Sequence, residues 1–250
     1  KIINLLAIIK AKFIIYKEYI RQRSANFSEV SFDIIIISIV GLLLLYYPLG
    51  AFLSHKIDRN TDIEITNDIP NQSQTIEMIS YIINREVNNQ IWTPSLPFFF
   101  PASILDNMPN FQLGIINGIS KFTTSLEKRI DAKIQNKENN SKLYKAATLL
   151  RYPGTIWMFD PHNKIKPVPS ASNQYRKARR LLIKYNQSLI SGQNNFYKNP
   201  LDLEYILQKT KLNLAQSSNQ LSAAIRENSS SFVDFNADDI FYYNQGKIYA

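Results

Sequence analysis

An uncharged run of twenty residues, Ile34 to Leu53, constrains this chain more than any other feature of its sequence. A helix rising about 1.5 Å per residue covers about 30 Å over such a run, which is the thickness of a bilayer's hydrocarbon core. We therefore predict a single transmembrane helix at residues 34–53. Two alternatives are a cleaved signal peptide, which the long preceding segment disfavours, and a buried helix of a soluble protein.

Positive charge is distributed unequally on the two sides of this run. Residues 1–33 carry six Lys and Arg, whereas Lys56 and Arg59 are soon followed by acidic residues. This asymmetry predicts a cytoplasmic N-terminus and an extracytoplasmic C-terminal part, which lies in the periplasm if the cell is Gram-negative. The spacing of apolar residues within residues 1–33 indicates a basic amphipathic helix, which would lie either on the inner leaflet or against a partner.

Beyond the predicted span, the pattern is helical. Residues 54–73 are polar and are predicted to form a stalk, and residues 74–250 a periplasmic helical domain. The fold class is therefore all-α: a single N-terminal transmembrane helix followed by an antiparallel helical bundle with proline-rich loops. Periodicity predicts helices over residues 74–90, 110–137, 142–151, 173–192, 199–228 and from 238 onward.

The helix predicted at residues 199–228 carries a narrow apolar seam. Its members alternate by four and three residues, as in a coiled coil. They are Leu203, Leu207, Thr210, Leu214, Ser217, Leu221 and Ala224. Such a seam indicates packing against another helix.

The sequence carries few of the residue types that catalysis and metal binding need. It contains no cysteine and two histidines, and no nucleophile motif or phosphate-binding loop is recognisable. Asp160 with His162, or Asp106, could support a hydrolase, but such residues in turns and at helix starts are usually solvated or capping. We expect no enzymatic activity, no catalytic or metal-binding residues and no cofactor.

Basic residues are concentrated between Ser141 and Pro200, where eleven Lys and Arg face a single acid, Asp160. One group lies mostly off the apolar stripe of its predicted helix and is the candidate contact for an anionic partner. It comprises Arg176, Lys177, Arg179, Arg180 and Lys184. The partner would be anionic lipid, a cell-wall polymer or an acidic protein, whereas a solvated helix face is the simpler alternative.

An aromatic, proline-rich segment precedes the longest predicted helix. Trp92, Phe98, Phe99 and Phe100 are its candidate docking residues, and four prolines between residues 94 and 109 prevent a continuous helix. We expect the segment to be ordered by burial of its aromatic side chains. The burial partner is the domain core, the outer leaflet or another protein, and the core is favoured.

Four stretches in this order resemble a known bacterial family. They read YPLGAFLSHKID from Tyr47, WTPSLPFFFPASILDNMPNFQLGI from Trp92, SNQYRKAR from Ser172 and ADDIFYYNQGKIYA from Ala237. Together they are similar to the family catalogued as domain of unknown function 2333, from about Tyr47 to Ala250. The resemblance implies an inner-membrane protein with an outer domain of the family's type. It carries over no catalytic or ligand residues.

The function expected from the sequence is that of a non-enzymatic, membrane-anchored envelope protein, a scaffold or accessory subunit of a larger membrane assembly. The alternative is a periplasmic module that binds anionic lipid or cell-wall polymer through the basic helix, and a hydrolase is a distant third. The expected partners are membrane lipid and other membrane or envelope proteins. Nucleic acid is not expected, because the predicted domain lies outside the cytoplasm.

Overall fold

The structure, a computed structural model, describes residues 12–18, 29–63, 69–131, 137–160, 163–193, 199–228 and 237–250. The chain divides into two compact units, residues 1–49 and 50–250, each of which is described by itself. Most of the predicted N-terminal amphipathic segment lies outside the described residues.

The first unit is helical over its described residues. Residues 12–18 form helical turns with exposed side chains, and Lys17 pairs with Asp33 at 3.6 Å. Helix α1, Glu29–Ser54, begins in this unit. Its part from Asp33 to Ser54 has a mean hydropathy of 2.3, and it is the one helix among the described residues long and apolar enough to cross a membrane. The predicted apolar helix is therefore present, with the length and composition of a membrane span or a signal anchor.

The second unit is a helical bundle, which confirms the predicted all-α class. Its α-helices, in chain order, are α2 (Gln74–Asn84), α3 (Asn107–Asp131), α4 (Lys137–Leu150), α5 (Ala171–Ile190), α6 (Pro200–Asn228) and α7 (Ala237–Tyr249). A π-helical turn (Arg85–Asn89) extends α2, and a 3₁₀ turn (Pro101–Ile104) precedes α3. These bounds agree closely with the predictions for α2 with its π-helical turn, α5, α6 and α7. Helix α3 begins before the predicted residue 110, and α4 includes residues 137–141, which periodicity leaves outside any helix.

One short antiparallel strand pair interrupts the long proline-rich loop between α4 and α5. Strand β1 (Phe159–Asp160) pairs with strand β2 (Asn163–Pro167), so that Phe159 lies opposite Pro167. Sequence analysis predicts this region only as an irregular loop. A pair this short adds a turn to the bundle and leaves its class unchanged.

Helix α3 lies at the centre of the bundle and contacts α4, α6 and α7, while α5 packs on α4 and α2. The core side chains come from the predicted apolar stripes, such as Phe111 and Ile115 of α3 and Leu182 and Tyr185 of α5. Helices α3 and α7 approach most closely at Gly114, where a Cβ atom would overlap the carbonyl oxygen of Tyr243. Glycine is required there because the two backbones are in contact.

The segment predicted as a stalk does not behave as a free spacer over its described residues. Ile57 and Ile63 pack against the core, and the Tyr249 hydroxyl donates a hydrogen bond of 2.6 Å to the carbonyl oxygen of Asn60. At the other end of the segment, the buried Ser73 amide donates to Asn186 Oδ1 at 2.8 Å. Residues 55–63 are therefore part of the bundle surface, since apolar side chains in a polar stretch still seek burial.

The apolar seam of α6 is only partly buried. Ser217 and Ala224 are buried, whereas Leu203, Leu207 and Leu214 are exposed. Helix α6 contacts α3 and α7 along a part of its length. One part of the predicted seam therefore packs inside the bundle, and the rest of it is exposed on the surface.

Candidate functional site

Two of the five predicted anion-contact residues are used inside the domain. The guanidinium of Arg176 donates hydrogen bonds to the carbonyl oxygen of Val87 (2.8 Å) and to Asn88 Oδ1 (2.9 Å). Arg179 Nε donates to the carbonyl oxygen of Ser80 at 3.2 Å. These contacts tie α5 to α2 and its π-helical extension.

The other three predicted residues, Lys177, Arg180 and Lys184, are exposed. Their spacing of three and four residues aligns them in one row along α5. The structure therefore retains a row of three cations for an anionic partner, rather than a face of five.

The predicted docking segment separates into a buried and an exposed part. Trp92 is 3% exposed; its Nε1 donates to the carbonyl oxygen of Gly154 at 2.9 Å, and its ring meets Tyr175 edge-on at 5.1 Å. Phe98 and Phe99, in contrast, are 81% and 46% exposed. The favoured expectation of core burial holds for Trp92 and is wrong for Phe98 and Phe99, because the turn carries their rings outward.

The exposed phenylalanines belong to a larger aromatic surface. Phe99 and Phe100 approach Trp157 edge-on, with ring centroids 5.8 and 6.5 Å away, and Phe98 meets Phe99 at 5.6 Å. We define the aromatic surface as Phe98, Phe99, Phe100 and Trp157. Trp157 is absent from the sequence-based candidates, although the run Trp157-Met158-Phe159 in a proline-rich loop is the signal that could have identified it.

The backbone below the aromatic surface is fixed by turns. Ser103 Oγ donates to the carbonyl oxygens of Phe98 (3.0 Å) and Phe100 (2.6 Å), and the amide of Phe100 donates to the carbonyl oxygen of Pro97 at 3.0 Å. The segment is therefore ordered, as expected, but by hydrogen-bonded turns as well as by burial. An ordered backbone holds the exposed rings outward, so that they form a persistent apolar surface.

The aromatic surface lies beside the C-terminal end of α1. Pro101 packs directly against Gly50, leaving no room for a Cβ atom there. Gly50 precedes the end of α1 at Ser54 by four residues, about 6 Å of helix. The amide of Lys56 then donates to Met108 Sδ at 3.3 Å, which attaches the following residues to α3. The end of the apolar helix and the aromatic surface are thus neighbours within the second unit.

A buried ionic group lies where α2 ends, and sequence analysis does not identify it. Arg85 and Glu86 are 4% and 1% exposed and pair at 2.6 Å. Arg85 also faces Asp58 at 3.7 Å and donates to the hydroxyl of Tyr249, over whose ring it lies at 4.7 Å. Burial raises the pKa of Glu86, and the adjacent Arg85 opposes that rise. The group joins α2, the segment after α1 and α7.

The sequence-based candidates for catalysis are not brought together among the described residues. Asp106 Oδ1 accepts a hydrogen bond from the amide of Asn107 at 2.7 Å, at the start of α3. Burial, together with Asp238 and Asp106, raises the pKa of the nearby Asp239, which accepts a hydrogen bond from Asn110 at 2.6 Å. His162 and the side chain of Asp160 lie outside the described residues. Asp106 therefore has a helix-start role, and the Asp160–His162 hypothesis stays a prediction.

Comparison with known proteins identifies one family. The model of DUF2333, described as an uncharacterized protein conserved in bacteria, matches residues 95–240. This match confirms the resemblance drawn from the segments beginning at Trp92 and Ser172, while the segment beginning at Tyr47 precedes it. No curated protein and no solved structure matches the chain.

Proposed function

The chain belongs to the bacterial family DUF2333, and we propose that it is a non-enzymatic, membrane-anchored envelope protein. Helix α1 is its single span, the N-terminus is cytoplasmic and the helical domain is periplasmic. The aromatic surface holds the domain against the outer leaflet of the same membrane. In that position the protein serves as an accessory subunit of a membrane assembly.

The observation that carries this proposal is the contact between Pro101 and Gly50. If Ser54 marks the outer end of the span, Gly50 lies about 6 Å inside it. Phe98, Phe99 and Phe100 precede Pro101 directly, so their rings are close to the boundary between headgroups and acyl chains. Trp and Tyr concentrate at this depth, which suits Trp157, and amphipathic elements bury apolar groups such as Phe by about 5–10 Å there.

The energetics favour this placement over exposure to water. Full burial of a large apolar side chain is worth about 1.5–3 kcal/mol; Phe98 is mainly exposed, and nearly half of Phe99 is exposed. Their insertion needs little reordering, because the turns below them are already hydrogen-bonded. A rigid apolar surface next to a span therefore binds the bilayer without the entropic cost of folding a loop.

The test uses the full chain in nanodiscs that contain lipids brominated near the headgroup end of the acyl chains. The chain has two tryptophans, of which Trp157 belongs to the aromatic surface and Trp92 is buried in the core. We expect bromine to quench the fluorescence of the unmodified chain, and Trp157→Phe to abolish the quenching while the Trp92 emission remains.

The matched comparison replaces Phe98 and Phe99 together by Ser, which should reduce quenching of Trp157 by lifting the surface out of the bilayer. Equal tryptophan emission in brominated and ordinary lipid would overturn the contact with the outer leaflet. An assembly role is examined separately by co-purification from membranes, where recovery of the lone chain under mild conditions would contradict it.

A further inference from the structure

A cleft of about 740 Å³, with a mixed polar and apolar lining, lies mainly between α3, α6 and the turn that follows α4, with Tyr175 of α5 and Tyr243 of α7 at its wall. Lys121, Thr124 and Lys128 recur at spacings of three and four residues, so they share one face of α3. Lys209 and Asn213 contribute from α6, and Arg151 from the turn. The cleft therefore has three walls that come from separate parts of the chain, and only the fold brings them together.

The charge of the cleft has one sign. Its lining includes four cations, Lys121, Lys128, Arg151 and Lys209, and none of the described lining residues is Asp or Glu. Burial lowers the pKa of the neighbouring Lys247, and the charge of Lys121 lowers it further. A cleft lined by charges of one sign concentrates counter-ions, so this one attracts anions.

Neutral hydrogen-bonding groups in the same cleft are also available. Asn117 Oδ1 and Thr124 Oγ1 are buried and have no hydrogen-bond partner among the described residues. Buried polar atoms usually have a partner, and these two reach a ligand in the cleft only if the Asn117 and Thr124 side chains rotate toward it. A hydroxyl can donate to an oxyanion, and the amide oxygen of Asn can accept from a hydroxyl of the ligand.

We propose that this cleft is a binding site for a phosphate-bearing ligand of small-molecule size. Lysine binds phosphate as a point charge, and three of the four cations are lysines. The volume lies within the range of small-molecule sites. A doubly charged phosphate ester can pair with several of these cations at once. The hydroxyl and amide groups of the wall bind the organic part of the ligand. None of the four residues of the aromatic surface lines the cleft.

The phosphate has two sources, a soluble molecule or a lipid headgroup, and the experiment separates them. The full chain is placed in phosphatidylcholine nanodiscs with its lysines carrying ¹³C-labelled methyl groups, and each lysine is followed by NMR. In one arm pyrophosphate is titrated, and in the other phosphatidylglycerol replaces part of the lipid. A saturable shift of the Lys121 and Lys128 signals with pyrophosphate indicates a soluble ligand. The same shift with phosphatidylglycerol alone indicates a headgroup.

Matched variants distinguish a built site from general positive charge. Lys121→Gln with Lys128→Gln removes two charges from the cleft, and Lys177→Gln with Lys184→Gln removes two from the exposed row on α5. With Lys209 as the reporter, the cleft pair should weaken binding by at least about tenfold, because charge-assisted hydrogen bonds are lost. The α5 pair should change it by less than about twofold. Equal weakening by both pairs, or no saturable shift in either arm, overturns the proposal.

Discussion

Replacing Arg85 by Met tests whether the buried ionic group holds three parts of the domain together. Arg85 pairs with Glu86 at 2.6 Å, faces Asp58 at 3.7 Å and donates to the hydroxyl of Tyr249. Tyr249 in turn donates to the carbonyl oxygen of Asn60. The substitution keeps an unbranched side chain of similar length, so the loss of packing is small and the loss of charge dominates.

The expected loss follows from burial. Glu86 is 1% exposed, and without Arg85 its carboxylate lies in the core without its principal counterion. Removing one partner of a buried pair costs about 3–5 kcal/mol, a large part of the 5–15 kcal/mol that stabilises a typical domain. Replacing both partners, as Arg85→Met with Glu86→Gln, should recover part of this loss, because no uncompensated charge remains buried.

The loss should also depend on pH. Burial raises the pKa of Glu86, so the folded chain retains its proton at a pH where the unfolded chain has released it. The free energy of unfolding therefore falls as the pH rises from the unfolded pKa of Glu86 to its folded pKa. Arg85→Met raises the folded pKa further and widens that window. The cost of the substitution should thus be smaller at pH 5 than at pH 7.

The assay is urea unfolding of the full chain in nanodiscs, followed by tryptophan fluorescence at both pH values. Lys184→Met is the control, because Lys184 is exposed on α5 and its replacement should change the free energy of unfolding by no more than about 0.5 kcal/mol. A loss for Arg85→Met below about 1 kcal/mol, or one that is the same at pH 5 and pH 7, would refute the assignment of Glu86 as a carboxylate stabilised by Arg85.

Two further predictions concern the aromatic segment and the basic row. In nanodiscs, Phe111→Ala should cost about 3–5 kcal/mol, because Phe111 is 1% exposed, whereas Phe98→Ala should cost no more than the about 1.5–3 kcal/mol that insertion in the bilayer contributes; urea unfolding checks both, and a greater loss at Phe98 than at Phe111 would contradict the two environments. The triple substitution of Lys177, Arg180 and Lys184 by Gln should weaken binding of the chain to isolated cell-wall sacculi at low salt without altering its free energy of unfolding. Unchanged binding would show that this row is only exposed to solvent and does not contact the cell wall.

Much of the bundle could be predicted from the sequence, because the signals that specify helices are local. The stripe through Phe111 and Ile115 and the stripe through Leu182 and Tyr185 are both buried as their periodicity indicates. The strand pair after α4 was not predictable in this way. It pairs Phe159 with Pro167 within a proline-rich stretch, where no periodic pattern is available.

The candidate sites were predicted less well, because charge and hydrophobicity do not specify what a side chain contacts. Arg176 and Arg180 are the same residue type in one basic run of the sequence. In the structure, however, Arg176 donates to a backbone carbonyl oxygen of the π-helical turn, whereas Arg180 is exposed. Trp92 and Phe98 lie in one aromatic segment, yet the first is buried and the second exposed. In both pairs the outcome depends on which way a turn or helix face points.

The sequence alone determined the apolar helix, the helical class and the approximate extent of most helices. These depend on properties of neighbouring residues: unbroken hydrophobicity, a period of 3.6 residues, and proline or glycine at element ends. Membership of the family is likewise identified from the sequence alone, because a family model is matched to the order of residues along the chain.

Only the tertiary structure decided the relations between distant residues. It put Pro101 against Gly50, assembled the cationic cleft from Lys121, Arg151 and Lys209, and buried Arg85 beside residues from both ends of the domain. Such contacts arise when separate helices bury their apolar faces together, and the polar groups that meet as a result are brought together by packing. A local sequence pattern carries no information about which of them will meet.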